Sequence, residues 1–95
     1  MDYRIEIHPD GRKVEKFGEN AKAPTLEEAQ AFVGGWIEIQ TIRLEGQSAQ
    51  MVLNEEGKLM DLPVNHLATA LWLAQGHADA IVGPVLLLTG KARLK

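Results

Sequence analysis

The stretch Ile81-Val82-Gly83-Pro84-Val85-Leu86-Leu87-Leu88 constrains this chain more than any other. It is the longest apolar run, and Gly83-Pro84 interrupts it. A helix that spans a bilayer needs ~20 apolar residues, so this run is not a membrane segment. A short run with apolar side chains at every position reads as a strand with two apolar faces, expected at the centre of a sheet. The rest of the chain must supply the sheet around it. At 95 residues there is room for one domain, 1–95, with a thin core. A composition of 45% hydrophobic and 24% charged residues is too apolar for a disordered tail.

The first element alternates strictly. Tyr3, Ile5 and Ile7 fall on one face and Arg4, Glu6 and His8 on the other, as in a half-buried strand. Pro9-Asp10-Gly11 supplies a turn, and Arg12–Phe17 returns as a more polar edge strand. Gly18–Pro24 reads as a loop. Thr25-Leu26-Glu27-Glu28 is a capping box, in which the Thr hydroxyl and the Glu carboxylate each satisfy an amide at the start of a helix. Leu26, Ala29, Phe32 and Val33 would form its apolar face, and Gly34-Gly35 would end it.

Trp36–Leu44 reads as a strand with a bulge or bend near Gln40-Thr41, followed by a turn at Gly46–Ser48. Ala49–Leu53 and Lys58–Met60 read as a hairpin around Asn54-Glu55-Glu56-Gly57. Asp61 and Asn65 both qualify as N-caps for a second helix with Leu67, Ala70, Leu71 and Ala74 as its stripe and Gly76 as its stop. These elements predict an α+β fold, a two-layer sandwich with about six short, mostly antiparallel strands and two helices on one face. The order hairpin, helix, strand occurs twice, so a ββαβ repeat and a coincidence are both open.

Charge and motifs exclude more than they assign. Ten Lys and Arg against thirteen Asp and Glu give a net charge of -3, and the basic residues are scattered. The acid-free basic stretch Lys91, Arg93 and Lys95 reads as a solvated tail. Both points argue against naked nucleic acid as a partner, since phosphate neutralisation drives that binding. The first residues lack the apolar core of a signal peptide, so a cytoplasmic protein is expected. There is no Cys, which removes disulfides, thiolate metal sites and cysteine nucleophiles. Gly57-Lys58 and Gly90-Lys91 lack the earlier Gly and the following Ser or Thr of a phosphate loop. His8, His66 and His77 lack helical metal-ligand spacing, and Glu27-Glu28 and Glu55-Glu56 do not form acid–base dyads. No cofactor is implied, and no enzyme is expected.

Two groups remain as candidates for binding. Trp36 with Glu38, Gln40 and Arg43 would make a partner surface if Ile37 and Ile39 face the helices. Alternatively, Trp36 packs over the edge of the core. Asn54, Lys58, Asn65 and His66 surround a helix start, where backbone amides could hold an anionic, nucleotide-type ligand; the reading preferred to it is pure turn and cap geometry. A homo-oligomer joined through Arg12–Phe17 or through Trp36 is a third possibility.

One resemblance covers most of the chain. The blocks Thr25-Leu26-Glu27-Glu28, Val33-Gly34-Gly35-Trp36-Ile37-Glu38, Val52-Leu53-Asn54-Glu55-Glu56-Gly57-Lys58-Leu59, Leu62-Pro63-Val64-Asn65, Ala68-Thr69-Ala70 and Ile81-Val82-Gly83-Pro84-Val85 occur in order. They resemble a family of small phage and mobile-element proteins catalogued as domain of unknown function 3846. Trp36 stands where the family has Tyr or Phe, and His66 where it often has a basic residue. The resemblance implies a phage or prophage origin, residence in the host bacterial cytoplasm and no catalytic residues. The function expected is an accessory one exerted by contact with a host or phage protein, including inhibition of a host defence or nucleic-acid-handling enzyme.

Overall fold

The computed structural model describes residues 1–94; Lys95, the last of the basic C-terminal trio, lies outside them. The elements in chain order are β1 (Tyr3–Ile7), β2 (Lys13–Phe17), α1 (Leu26–Val33), β3 (Ile37–Leu44), β4 (Gln47–Asn54), α2 (His66–Leu73) and β5 (Val85–Leu88). Short 3-10 turns sit at Gly18–Asn20 and Gly90–Ala92. The strands form one sheet in the order β2-β1-β5-β4-β3, and every neighbouring pair is antiparallel. The apolar β5 takes the central place its composition demands, with all four residues buried. The polar β2 is an edge, exposed throughout.

The helices lie on opposite faces of the sheet, which corrects the expected two-layer sandwich. Ala68 and Trp72 of α2 pack with Ile7, Ile42, Ala49, Met51, Leu53, Val85 and Leu87. Ala29 of α1 packs with Val52, Leu86 and Leu88, joined by Ala21 and Ala92 from the chain on either side. Alternate residues of β5 therefore enter different cores, as the pleat requires of a strand covered on both sides. The charged face of β1 is not free in solvent either. Arg4 donates to the Lys22 carbonyl, Glu6 lies 3.7 Å from both Arg4 and His8, and His8 meets the ring of Phe32 edge-on.

The strand count is five among the described residues, not six. Lys58–Met60 is a run of turns, and Leu59 is 85% exposed. The reason is topological: β4 already has β3 on one side and β5 on the other, so no edge is left for a return strand. Without that strand the second hairpin is β3–β4, and β3 cannot both close one ββαβ unit and open the next, so the repeat is not formed. Of the bulge or bend expected near Gln40-Thr41, the bulge is absent, since β3 and β4 pair one-to-one from Ile37↔Asn54 to Leu44↔Gln47.

The two helices start where their caps predict. Thr25 accepts from the Glu28 amide and Glu28 accepts from the Thr25 amide, closing the capping box; Gly34 follows at φ 84. Asn65 caps α2. The buried stripe of α2 is Ala68 and Trp72 supported by Leu71, one position round from the stripe expected, so Leu67 and Leu73 are partly exposed.

Candidate functional site

The two edges of the sheet are unlike. On β2 the backbone groups pointing away from β1 belong to Lys13, Glu15 and Phe17, because His8 and Asp2 bond across to Arg12 and Gly18 and set the alternation. Lys13 and Glu15 put charge on that edge, a common guard against strand addition. On β3 the Trp36 carbonyl accepts from the Glu55 amide, so even-numbered residues face β4 and odd-numbered ones face outward. The outward row is Ile37, Ile39, Thr41 and Arg43. At its far end the Gln75 side chain imitates a neighbouring strand, accepting from the Arg43 amide and donating to its carbonyl, each at 3.0 Å. At its near end the Gly35 amide donates to the Gln30 carbonyl. Between these ends, the outward amides and carbonyls of Ile37, Ile39 and Thr41 meet no protein group among the described residues.

Trp36 stands beside this open row with 67% of its surface exposed, and Ile39 is 44% exposed. The alternative in which Trp36 packs over the core is thereby set aside. Side-chain alternation divides the four residues of the expected surface. Trp36, Glu38 and Gln40 lie on the α2 side of the strand, whereas Arg43 shares the α1 side with Ile37, Ile39 and Thr41. Arg43 donates to the Gly46 carbonyl at 2.7 Å, which ties its head group to the β3–β4 turn.

A family model described as a domain of unknown function, DUF3846, matches residues 4–93. The chain belongs to that family. No curated protein and no solved structure matches it. The DUF3846 match takes in the N-terminal hairpin as well as the blocks from Thr25 to Leu88, so β1 and β2 are part of the domain.

On the α2 side of this DUF3846 domain, Glu38 and Gln40 line one wall of a cleft of about 140 Å³, with Asn54, Lys58, Trp72 and Asp79 also at its margin. The cleft thus gathers residues from both sequence-derived groups, Glu38 and Gln40 with Asn54 and Lys58. Gln40 donates to Glu38 within the strand. Lys58 reaches Asp79 at 3.1 Å, and Asp79 also accepts from the indole nitrogen of Trp72 at 2.9 Å. These two donors, the indole first and then the ammonium, hold the Asp79 carboxyl below its ordinary range. His77 lies flat on Trp72, with ring centroids 3.5 Å apart. Sequence reasoning weighed His77 only as a metal ligand and singled out neither Asp79 nor Gln75. The spacing from Trp72 to Asp79 spans a helix end and a loop, for which periodicity has no rule.

The remaining candidates are held by the fold. Asn54 donates to the Val33 carbonyl and accepts from the Glu56 amide, fixing the turn after β4. Asn65 is fully buried; it donates to the carbonyls of Ile7 and Gly83 and accepts from the Ala68 amide. His66 is exposed at the first turn of α2, and neither it nor Asn65 lines the cleft that holds Asn54 and Lys58. No group of three or more His, Cys, Asp or Glu among the described residues could hold a metal ion. No described helix is long and apolar enough to cross a membrane.

Proposed function

We propose that this protein acts without catalysis, by binding another polypeptide along the open edge of β3. The observation that carries the reading is the unpaired row Ile37–Ile39–Thr41 with Trp36 exposed beside it. Bare backbone donors and acceptors on an edge strand form a template for strand addition, and a neighbouring aromatic side chain adds an anchor. The absence of Lys and Pro from Ile37–Leu44 leaves this edge less guarded than β2.

The biological setting is part of the same proposal. The protein is a phage- or prophage-encoded accessory factor resident in the host bacterial cytoplasm, acting on a host or phage protein, including a defence or nucleic-acid-handling enzyme. Its net charge of -3 fits a protein partner better than naked nucleic acid. The nucleotide-type alternative has less to work with. Asn54 and Asn65 are engaged by backbone partners, and the Lys58 ammonium is paired with Asp79.

The test is affinity capture from host lysate with the wild-type chain and with Trp36→Ala and Ile39→Lys. A partner held by the wild type is expected to be lost at least tenfold from both variants, with melting temperatures unchanged, because both side chains are exposed. Equal capture by all three proteins removes the β3 edge as the contact surface. Deleting the gene should weaken phage growth on defended hosts if the partner is a defence enzyme.

A further inference from the structure

We infer that one occupant of the β3 edge is a second copy of this chain, paired antiparallel about a two-fold axis through Ile39. The inference rests on the reading of β3 as a contact edge and names its partner. It follows from which registers the edge allows. In an antiparallel pair, outward-facing residues bond to outward-facing residues, so odd positions of one copy must meet odd positions of the other.

The ends of the open row limit the choice. An axis at Ile37 would bond Ile39 to Gly35, whose amide is already given to Gln30. An axis at Thr41 would bond Ile39 to Arg43, whose amide and carbonyl are already held by Gln75. An axis at Gln40 sends Ile37 to the same occupied Arg43. An axis at Glu38 puts two Glu38 carboxylates opposite each other in a non-bonded pair, where Cα atoms stand about 4.5 Å apart and like charges repel.

The axis at Ile39 asks no bond of these groups: Gly35 falls opposite Arg43 of the second copy, both already bonded within their own chains, and the ladder ends one pair earlier. Ile39 meets Ile39 of the second copy, and Ile37 meets Thr41 of the second copy on each side of the axis. Every open amide and carbonyl of the row is then paired, and no capped group has to be released. Glu38 faces Gln40 of the second copy. That amide already donates to Glu38 of its own strand, and its second N–H is available for the carboxylate across the axis. The Ile39 side chain, part of the exposed apolar surface of this edge, is covered by its twin. The product is one continuous sheet through both copies, with β2 as the edge at each end and the charges of Lys13 and Glu15 there to stop further addition. A contact of this size belongs to the weak, concentration-dependent class.

The chain has no Cys, which makes a direct test of register possible. Glu38→Cys and Gln40→Cys proteins are mixed under mild oxidation. The non-bonded pair brings the two Cα atoms to about 4.5 Å, within disulfide range, so the mixed disulfide should form well ahead of the Glu38→Cys homodimer. In parallel, sedimentation of the untagged wild type from roughly 1 to 500 µM should show a monomer–dimer equilibrium, and Ile39→Lys and Thr41→Pro should each raise its dissociation constant at least tenfold. Circular dichroism on each variant confirms that it is folded.

A monomer at the highest concentration overturns the inference, as does a dimer that survives Ile39→Lys or one that links Glu38→Cys to itself first. The wider reading fails differently. A monomeric protein whose captured partner is lost on Ile39→Lys loses the two-fold pairing and keeps β3 as its contact edge. A dimer of unchanged strength in Ile39→Lys, with capture also unchanged, rejects both.

Discussion

Asn65 shows how much one polar side chain can hold. Its amide nitrogen donates to Ile7 at the end of β1 and to Gly83 before β5, while its oxygen caps α2. It therefore ties together three parts of the chain far apart in sequence, inside a region with no access to water. Removing it takes one bond from the Ile7 carbonyl and leaves the buried Gly83 carbonyl and a helix-start amide without their side-chain partner, which is costly. Asn65→Ala should lower the unfolding free energy by about 2–4 kcal/mol, read from urea melts. Asn65→Asp should be at least as damaging at neutral pH, because a carboxylate can keep the cap but must face the Ile7 and Gly83 carbonyls without a donor. A loss under about 0.5 kcal/mol for Asn65→Ala would mean that water replaces the side chain. The Gly83 carbonyl is itself positioned by a backbone that few residues could follow. Gly83 has φ +78, and a Cβ there would lie 2.8 Å from Leu62.

At the scale of elements, local signals were legible and distant ones were not. The capping box at Thr25, the Pro9-Asp10-Gly11 turn and the central place of β5 follow from short-range sterics and from composition. Thr25→Ala should cost about 1 kcal/mol, checked by thermal or urea unfolding. The Glu28 carboxyl is held below its ordinary range by the Thr25 amide and hydroxyl, so its share of the stability is present above the ordinary pKa of 4.5 and is lost as pH falls through the lowered folded value. What escaped the sequence reading depends on neighbours remote in the chain. Lys58–Met60 has a strand-like composition, yet both sides of β4 are occupied before it arrives. The apolar character of both faces of β5 called for cover above and below, but two helices of eight residues carry little local information about which face each will take. The Asp79–Trp72–Lys58 cluster was likewise unreadable from spacing, and it has its own test. Asp79 is also held low, so its bonds should persist down to the ordinary value of 3.8 and give way only below it. In a Trp36→Phe background Trp72 is the one tryptophan left, and selective excitation of indole reads it alone. Its emission maximum, read apart from the intensity that the stacked His77 ring can quench, should hold its position as pH falls to that value and shift to the red below it, whereas Asp79→Ala should show the shifted maximum already at neutral pH.

For the whole molecule, the informative property is that one sheet has a guarded edge and an open one. Both faces are spent on packing, α1 on one and α2 on the other, so the backbone of β3 is the place where bonding capacity is left over. Amide hydrogen exchange can read this directly, because exposure alternates along a single strand whose local stability is shared. In dilute monomer, Glu38, Gln40, Ile42 and Leu44 bond inward to β4 and should be protected, while Ile37, Ile39 and Thr41 should exchange several-fold faster or more. Arg43 breaks the rule in an instructive way. It points outward like the fast group, yet its amide is bonded by the Gln75 side chain, so it should exchange with the slow group. Gln75→Ala removes that bond without touching the core, and should move Arg43 alone into the fast group. Raising the concentration adds a second, independent signature. Pairing about Ile39 would slow Ile37, Ile39 and Thr41 together and leave Arg43 unchanged, while pairing at β2 would slow Lys13, Glu15 and Phe17 instead. Uniform exchange along β3 at every concentration would mean that its outer row is covered from within the chain, and the edge would then have nothing to offer a partner.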